Sequence, residues 1–248
     1  MTGSAPRSFP QERTTLRPGP RTGVIWWLPL GRREYREVWS LQKKLVDARH
    51  QGSLPDLVIT VEHPHVITMG RSTDSANVLS QTSPDLGAAV PVVEVERGGD
   101  VTYHGPGQLV AYFLFDLEER GRDLHRFLRD LEEVQIRMLA ETGLEGVRVA
   151  GKTGVWVGDR KVGSLGLAVR HWVTYHGFAL NVSTDLRYFS LINPCGFRPD
   201  TMTSVSQLSG REWGRAAVLG FLRKAVGEVF ARPLVRIGEK RLRQPLGR

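Results

Sequence analysis

Cysteine is nearly missing from this chain: Cys195 is the only one in 248 residues. No intramolecular disulfide and no cysteine-based zinc cluster can form, and a lone thiol agrees with a reducing, cytoplasmic setting. Long apolar runs are missing too. No window reaches the roughly 18 uninterrupted apolar residues that a membrane helix needs. The opening MTGSAPRSFPQERTTLRPGPR lacks the apolar core of a secretory signal. No GxxxxGK[ST] and no GxSxG occurs. The glycines of 98–107 run into an apolar strand instead of a helix N-terminus, which argues against a phosphate or dinucleotide loop. The middle of the chain also lacks excess charge. Four arginines against Glu12 in residues 1–23, and six cations against Glu239 in residues 231–248, account for the whole net +8. Residues 24–230 are formally neutral, so the high pI describes two mobile basic tails and gives nucleic-acid binding no support.

What is present is organised around Arg97–Gln108, RGGDVTYHGPGQ. Four glycines and a proline in twelve residues predict neither a regular helix nor a central strand. Pro91–Glu96 before it and Leu109–Leu117 after it read as strands, so the stretch is expected to be a sharp glycine-lined turn. Its polar groups (Arg97, Thr102, Tyr103, His104, Gln108) sit on a backbone that another molecule can approach closely.

In chain order, Val24–Leu30 reads as a strand, Glu34–Gln51 as an amphipathic helix and Asp56–Glu62 as a strand. His63 and His65 alternate on a strand edge, with no third metal ligand in evidence, so no metal is expected. Residues 72–90 read as a polar flap over a site. Asp123–Thr142 is the clearest helix, its stripe read as core alone. Gly154–Val157 and Lys161–Arg170 form a hairpin that continues into His171–Val182. Arg215–Phe230 is a last amphipathic helix. Together these predict one mixed α/β domain.

Three segments carry candidate chemistry. Cys195, between Pro194 and Gly196, lies on a rigid loop where a substrate can reach the sulfur. Lys161 opens the apolar, glycine-rich KVGSLGLAV; if desolvated there, it becomes a base near neutrality and, when charged, favours a nearby thiolate. His176 and Gly177 in YHGFALN form a second His-Gly pair suited to the same cleft, although a lone histidine is more commonly a satisfied, half-buried one.

RGGDVTYHGPGQ, KVGSLGLAVRHWVTYHGFALNV and INPCGF, in this order and spacing, resemble the octanoyltransferases of lipoate synthesis, the lipoyl(octanoyl) transferases. The likeness spans residues 24–230, with Gly163 and Leu165 standing where the family has Ala and Ile. It implies the fold of biotin– and lipoate–protein ligase catalytic domains, a mixed, mainly antiparallel sheet flanked by helices. It further implies that Cys195 forms an acyl-thioester and that Lys161 lowers its pKa. The acyl site would be lined by Arg97, Gly98, Gly99, Asp100, Val101, Thr102, Tyr103 and His104. Ser164, Leu165, Gly166, His176, Gly177 and Phe178 would complete it, with Arg71 as a further contact. The donor would be octanoyl-acyl carrier protein. The acceptors would be apo lipoyl domains of 2-oxoacid dehydrogenases and the glycine cleavage H protein. No cofactor, nucleic acid or membrane is implied, and a monomer is expected. A lipoate–protein ligase, which needs ATP, and a non-catalytic acyl-carrier-binding protein remain the competing readings. The expected organisation is a basic extension at 1–23, a catalytic domain at 24–230 and a basic tail at 231–248.

Overall fold

The computed structural model describes residues 23–83, 85–193, 199–243 and 245–246. Its strands are β1 (Ile25–Arg32), β2 (Leu57–Glu62), β3 (Val66–Met69), β4 (Val92–Glu94), β5 (Val101–His104), β6 (Gln108–Leu114), β7 (Val147–Val149), β8 (Lys152–Val157), β9 (Arg160–Arg170), β10 (Val173–Asn181) and β11 (Leu234–Arg236). Its helices are α1 (Tyr35–His50), α2 (Leu124–Ala140), α3 (Val205–Ser209) and α4 (Arg215–Phe230). Eight strands form one sheet in the order β11-β1-β2-β6-β10-β9-β8-β7, and a small sheet has the order β4-β3-β5. The large sheet is parallel at β11-β1-β2 and antiparallel from β2 to β7.

Strand β6 shows why the sheet is covered on both faces. All seven of its residues are buried, and successive side chains point to opposite sides. Ala111 and Phe113 pack with Phe127, Leu131 and Val134 of α2 and Leu222 and Phe230 of α4. Val110, Tyr112 and Leu114 pack with Val38, Leu45 and Val46 of α1. Each large apolar side chain buried this way contributes about 1.5–3 kcal/mol. Helix α2 starts where Asp123 accepts a hydrogen bond from the Arg126 N–H at 2.8 Å, a side-chain N-cap. A third cluster joins Ile67 of β3 and Tyr103 of β5 to Phe189, Leu191 and Met202.

Two expectations are corrected. The stretch 97–108 is not one turn: Val101–His104 is strand β5, pairing antiparallel with β3, because Val101, Thr102 and Tyr103 are β-favouring and the glycines only flank them. Nor does 231–248 lie wholly outside the fold. Leu234–Arg236 adds a parallel strand to β1, and Leu234 and Leu242 are buried. Those leucines seat the segment, and its cations find partners: Arg232 pairs with Asp56, and Arg241 lies 5.4 Å from the Trp26 ring. The N-terminal extension at 1–22 lies outside the described residues.

Candidate active site

Of the segments singled out in the sequence, 97–108, 161–170 and 171–182 meet around one cavity of about 450 Å³. The loop before β5 crosses over β9, where the Gly98 N–H donates to the Leu167 carbonyl at 2.7 Å. A Cβ on Gly166 would stand 2.7 Å from the Gly98 oxygen, so this crossing needs a residue without a side chain. The register then sets the sheet side of the cavity. Tyr112 of β6, Gly177 of β10 and Gly166 of β9 lie in one row, and Val110, Ala179 and Ser164 in the next. Small side chains across adjacent strands leave a trough, and these residues line the cavity.

Arg97, Gly98, Gly99, Asp100, Val101, Thr102 and His104 line it, as do Ser164, Leu165, Gly166, His176, Gly177, Phe178 and Lys161. Tyr103 does not. Strand alternation turns it into the third core cluster, where its hydroxyl meets His65 Nδ1 at 2.7 Å. Arg71 is exposed and outside the lining; its backbone N–H donates to the Arg97 carbonyl at 3.0 Å, while the neighbouring Ser72 does line the cavity. Cys195 lies outside the described residues.

The stretches flanking Cys195 are well anchored. On one side the Asn193 N–H donates to the Asn77 carbonyl at 2.8 Å, tying it to the 72–90 segment, and Asp100 accepts from Asn77 Nδ2 at 2.7 Å. On the other side Met202 bridges Lys161 in parallel, and the Thr203 N–H donates to the Lys161 carbonyl at 2.9 Å. The Lys161 side chain is buried, with Nζ 5.9 Å from the Trp156 ring centre. Gly154 leaves its space: a Cβ there would come within 2.6 Å of Lys161 Cε.

Arg97, Asp100, Lys152 and Lys161 bring ionisable side chains to the wall, and Arg97 Nη2 donates to the Thr68 carbonyl at 2.7 Å and to Thr68 Oγ1 at 3.0 Å. Burial, aided by His63 and opposed by the Gln108 hydrogen bond, holds His104 at a pKa of about 3. Burial and the Arg97 charge hold His176 at about 3. His176 takes a left-handed φ of 60°, which its N–H bond to Gln42 Oε1 at 2.8 Å supports. Among the described residues neither of its ring nitrogens has a partner, although the residue is only 1% exposed. His63, below the cavity, meets the Arg33 carbonyl and the Tyr112 hydroxyl, each at 2.7 Å, so it and His65 turn to separate partners. Among the described residues no group of three or more His, Cys, Asp or Glu could hold a metal ion.

Sequence reasoning missed part of the wall. Tyr35 of α1, Leu124 and Leu128 of α2, and Gly151–Thr153 before and within β8 also line the cavity. The leucines belong to the stripe read as core alone, and no sequence signal separates a leucine facing a cavity from one facing another leucine.

The chain's likeness to known proteins follows the same lines. Residues 34–227 match the family model described as the lipoyl protein ligase A/B catalytic domain. The chain is 49% identical to a protein named octanoyltransferase from Syntrophotalea carbinolica, over 76% of this chain and 86% of that one. A lipoate protein ligase of T. acidophilum with bound lipoic acid superposes with a TM-score of 0.69 at 16% identity, over 90% of this chain and 93% of that one. The biotin protein ligase of Aquifex aeolicus with biotin and ATP gives a TM-score of 0.50 at 16% identity, over 84% and 70%. The fold is thus that of the lipoate and biotin ligase catalytic domains, a mixed sheet flanked by helices. Within that class the chain belongs to the octanoyltransferase family, and it is an acyltransferase.

Proposed function

We propose that this protein moves an octanoyl group from octanoyl-acyl carrier protein to a lysine of an apo lipoyl domain, through a thioester on Cys195. The acceptors are the lipoyl domains of 2-oxoacid dehydrogenases and the glycine cleavage H protein, and the enzyme acts as a cytoplasmic monomer. Among the described residues no helix is long and apolar enough to cross a membrane. The catalytic domain runs from residue 24 through the strand and turn that end at Leu242.

One observation carries the reading: residues of 97–104, 161–167 and 176–179 converge on one glycine-floored cavity with a buried lysine at its wall. Lys161 takes the proton of the Cys195 thiol, since the thiolate is the nucleophile and a free cysteine, with a pKa of about 8.5, is mostly protonated at pH 7. The thiolate adds to the donor thioester carbon. The carbon–sulfur bond to the pantetheine arm breaks, and that sulfur leaves with the proton Lys161 returns. In the second step the acceptor ε-amine adds to the enzyme thioester and loses a proton to Lys161. The Cys195 sulfur departs and an amide forms. Exchanging one thioester for another costs little, and amide formation drives the second step without ATP. The trough of Ala179, Ser164, Gly166 and Gly177 suits a narrow acyl chain, each buried CH₂ contributing about 0.8 kcal/mol.

The test is intact-protein mass spectrometry after brief incubation with octanoyl-acyl carrier protein without ATP. An octanoyl increment on the Cys195 peptide, absent in Cys195→Ser and cleared by an apo lipoyl domain, supports the route. Amide product that requires ATP and free octanoate makes the protein a ligase and overturns it.

A further inference from the structure

A line of neutral polar side chains runs beneath the cavity. His104 Nδ1 meets Gln108 Oε1 at 2.7 Å. Gln108 Nε2 donates to the Tyr103 carbonyl at 3.1 Å and to Asn181 Oδ1 at 2.9 Å. Asn181 Nδ2 donates to the Thr203 carbonyl at 3.0 Å, and the Thr203 N–H donates to the Lys161 carbonyl. His104, Gln108, Asn181 and Thr203 are all buried.

Two backbone carbonyls anchor this line, that of Thr203 at Asn181 and that of Tyr103 at Gln108, and a carbonyl only accepts. The Thr203 carbonyl therefore fixes which end of the Asn181 amide is NH₂, and Asn181 Oδ1 with the Tyr103 carbonyl fixes the Gln108 amide. Gln108 then shows only an oxygen to the imidazole. His104 must donate from Nδ1, so in the neutral ring Nε2 carries a lone pair. Among the described residues that lone pair meets Thr68 Oγ1 at 3.5 Å, the outer limit of a hydrogen bond. His104 lines the cavity.

We propose that Gln108 and Asn181 are positioning residues: they hold His104 in the Nδ1–H form, so that its Nε2 accepts an N–H from the substrate, and they tie that acceptor to the Thr203–Lys161 connection. This rests on the octanoyl-transfer reading for its chemistry. Two N–H donors enter such a site, the pantetheine amide nearest the donor sulfur and the acceptor ε-amine. Both ask the same of the imidazole, a fixed lone pair on an uncharged ring.

The tautomer is read by two-bond ¹H–¹⁵N correlation on the full-length protein at pH 7, independently of any activity. The expected result is a proton on Nδ1 and a bare Nε2 at His104. A proton on Nε2 overturns the proposal whether or not the protein transfers octanoate. Wild-type protein that forms no octanoyl adduct yet shows the Nδ1–H form leaves the relay standing and removes the functional reading instead.

In Gln108→Glu a carboxylate replaces the amide beside Nδ1 and favours the charged ring. The rate should acquire an acid limb absent from wild type, falling about tenfold as His104 charges and Nε2 turns from acceptor to donor. Thioester formation and transfer to the lipoyl domain are timed separately. A limb on the first assigns the pantetheine amide, and a limb on the second assigns the amine. Asn181→Leu frees the Gln108 amide on one side and should give a mixed His104 tautomer with a slower rate. Wild-type pH profiles in both variants, with folding intact by circular dichroism, would overturn the proposal.

Discussion

Two buried polar clusters lie along strands β2, β6 and β10, and they are built on different principles. In one, Arg49 reaches Asp56, Asp116 and Glu119 at 3.0, 3.4 and 3.2 Å. Asp56 also takes Arg232 and the Asp116 N–H. Burial alone would lower the Arg49 pKa, but the carboxylates around it raise it. Charge there is matched by charge. Along the cavity the histidines are neutral, and among the described residues the His176 ring nitrogens and Gln42 Nε2 have no partner. A buried donor or acceptor without a partner costs about 1–3 kcal/mol, a cost that suits a surface awaiting a ligand. Closure marks the ion cluster and open valence the cavity, although Arg49 and Asp56 are buried much as His176 and Gln42 are.

The largest effect that would sharpen this contrast is at the cavity. Lys161→Met should lower kcat/KM about a thousandfold, the loss expected of a general acid–base group, while circular dichroism and the unfolding midpoint stay near wild type. A loss of less than tenfold would remove Lys161 from proton transfer. The ion cluster should behave oppositely. Asp56→Ala leaves Arg49 and Arg232 without their shared partner and should cost about 3 kcal/mol in urea unfolding, with the rate per folded molecule unchanged. Smaller again, His176→Phe keeps the ring shape and removes two unsatisfied nitrogens. Stability should hold or rise, while kcat/KM falls about tenfold; a drop in both would place His176 with the structural residues.

The least effect is a slope. His63, His104 and His176 have folded pKa values of about 4, 3 and 3, below the ordinary 6.5. The unfolded chain therefore binds protons first, so stability is full above about pH 6.5 and declines toward pH 4, at up to about 1.4 kcal/mol per unit for each ring. The His176→Phe slope should be shallower by one ring. An equal slope in the two proteins would mean that His176 titrates normally.

How much of this was legible in the sequence depended on how local the signal was. α1, α2 and α4 followed from apolar spacing, and the hairpin of 154–157 and 161–170, continuing into 171–182, from the turn at Gly158–Asp159. β5 escaped because a four-residue strand is too short to show a period between glycines, and β11 because its three residues, Leu234, Val235 and Arg236, are fewer still. The two clusters were invisible for a different reason. Asp56–Arg232 and Gln108–Asn181 are pairings made by sheet order, which no stretch of sequence encodes. The motif segments were legible as chemistry, yet only the register puts Gly166, Gly177 and Ser164 side by side, and strand alternation withdraws Tyr103 from its own motif.

Strand β1 is flanked by β2 on one side and by β11 on the other. During synthesis these partners do not arrive together. β2 follows within some 30 residues, but β11 emerges about 200 residues later, roughly ten to forty seconds at ordinary translation rates. For that interval IWWLPLGR presents an unpaired, tryptophan-bearing edge, the kind of surface on which nascent chains pair wrongly. The short basic segment at 234–236 is in this sense the closing stitch of the sheet, and a ribosome that stalled before it would release a chain with its catalytic cavity built and its first strand still adhesive.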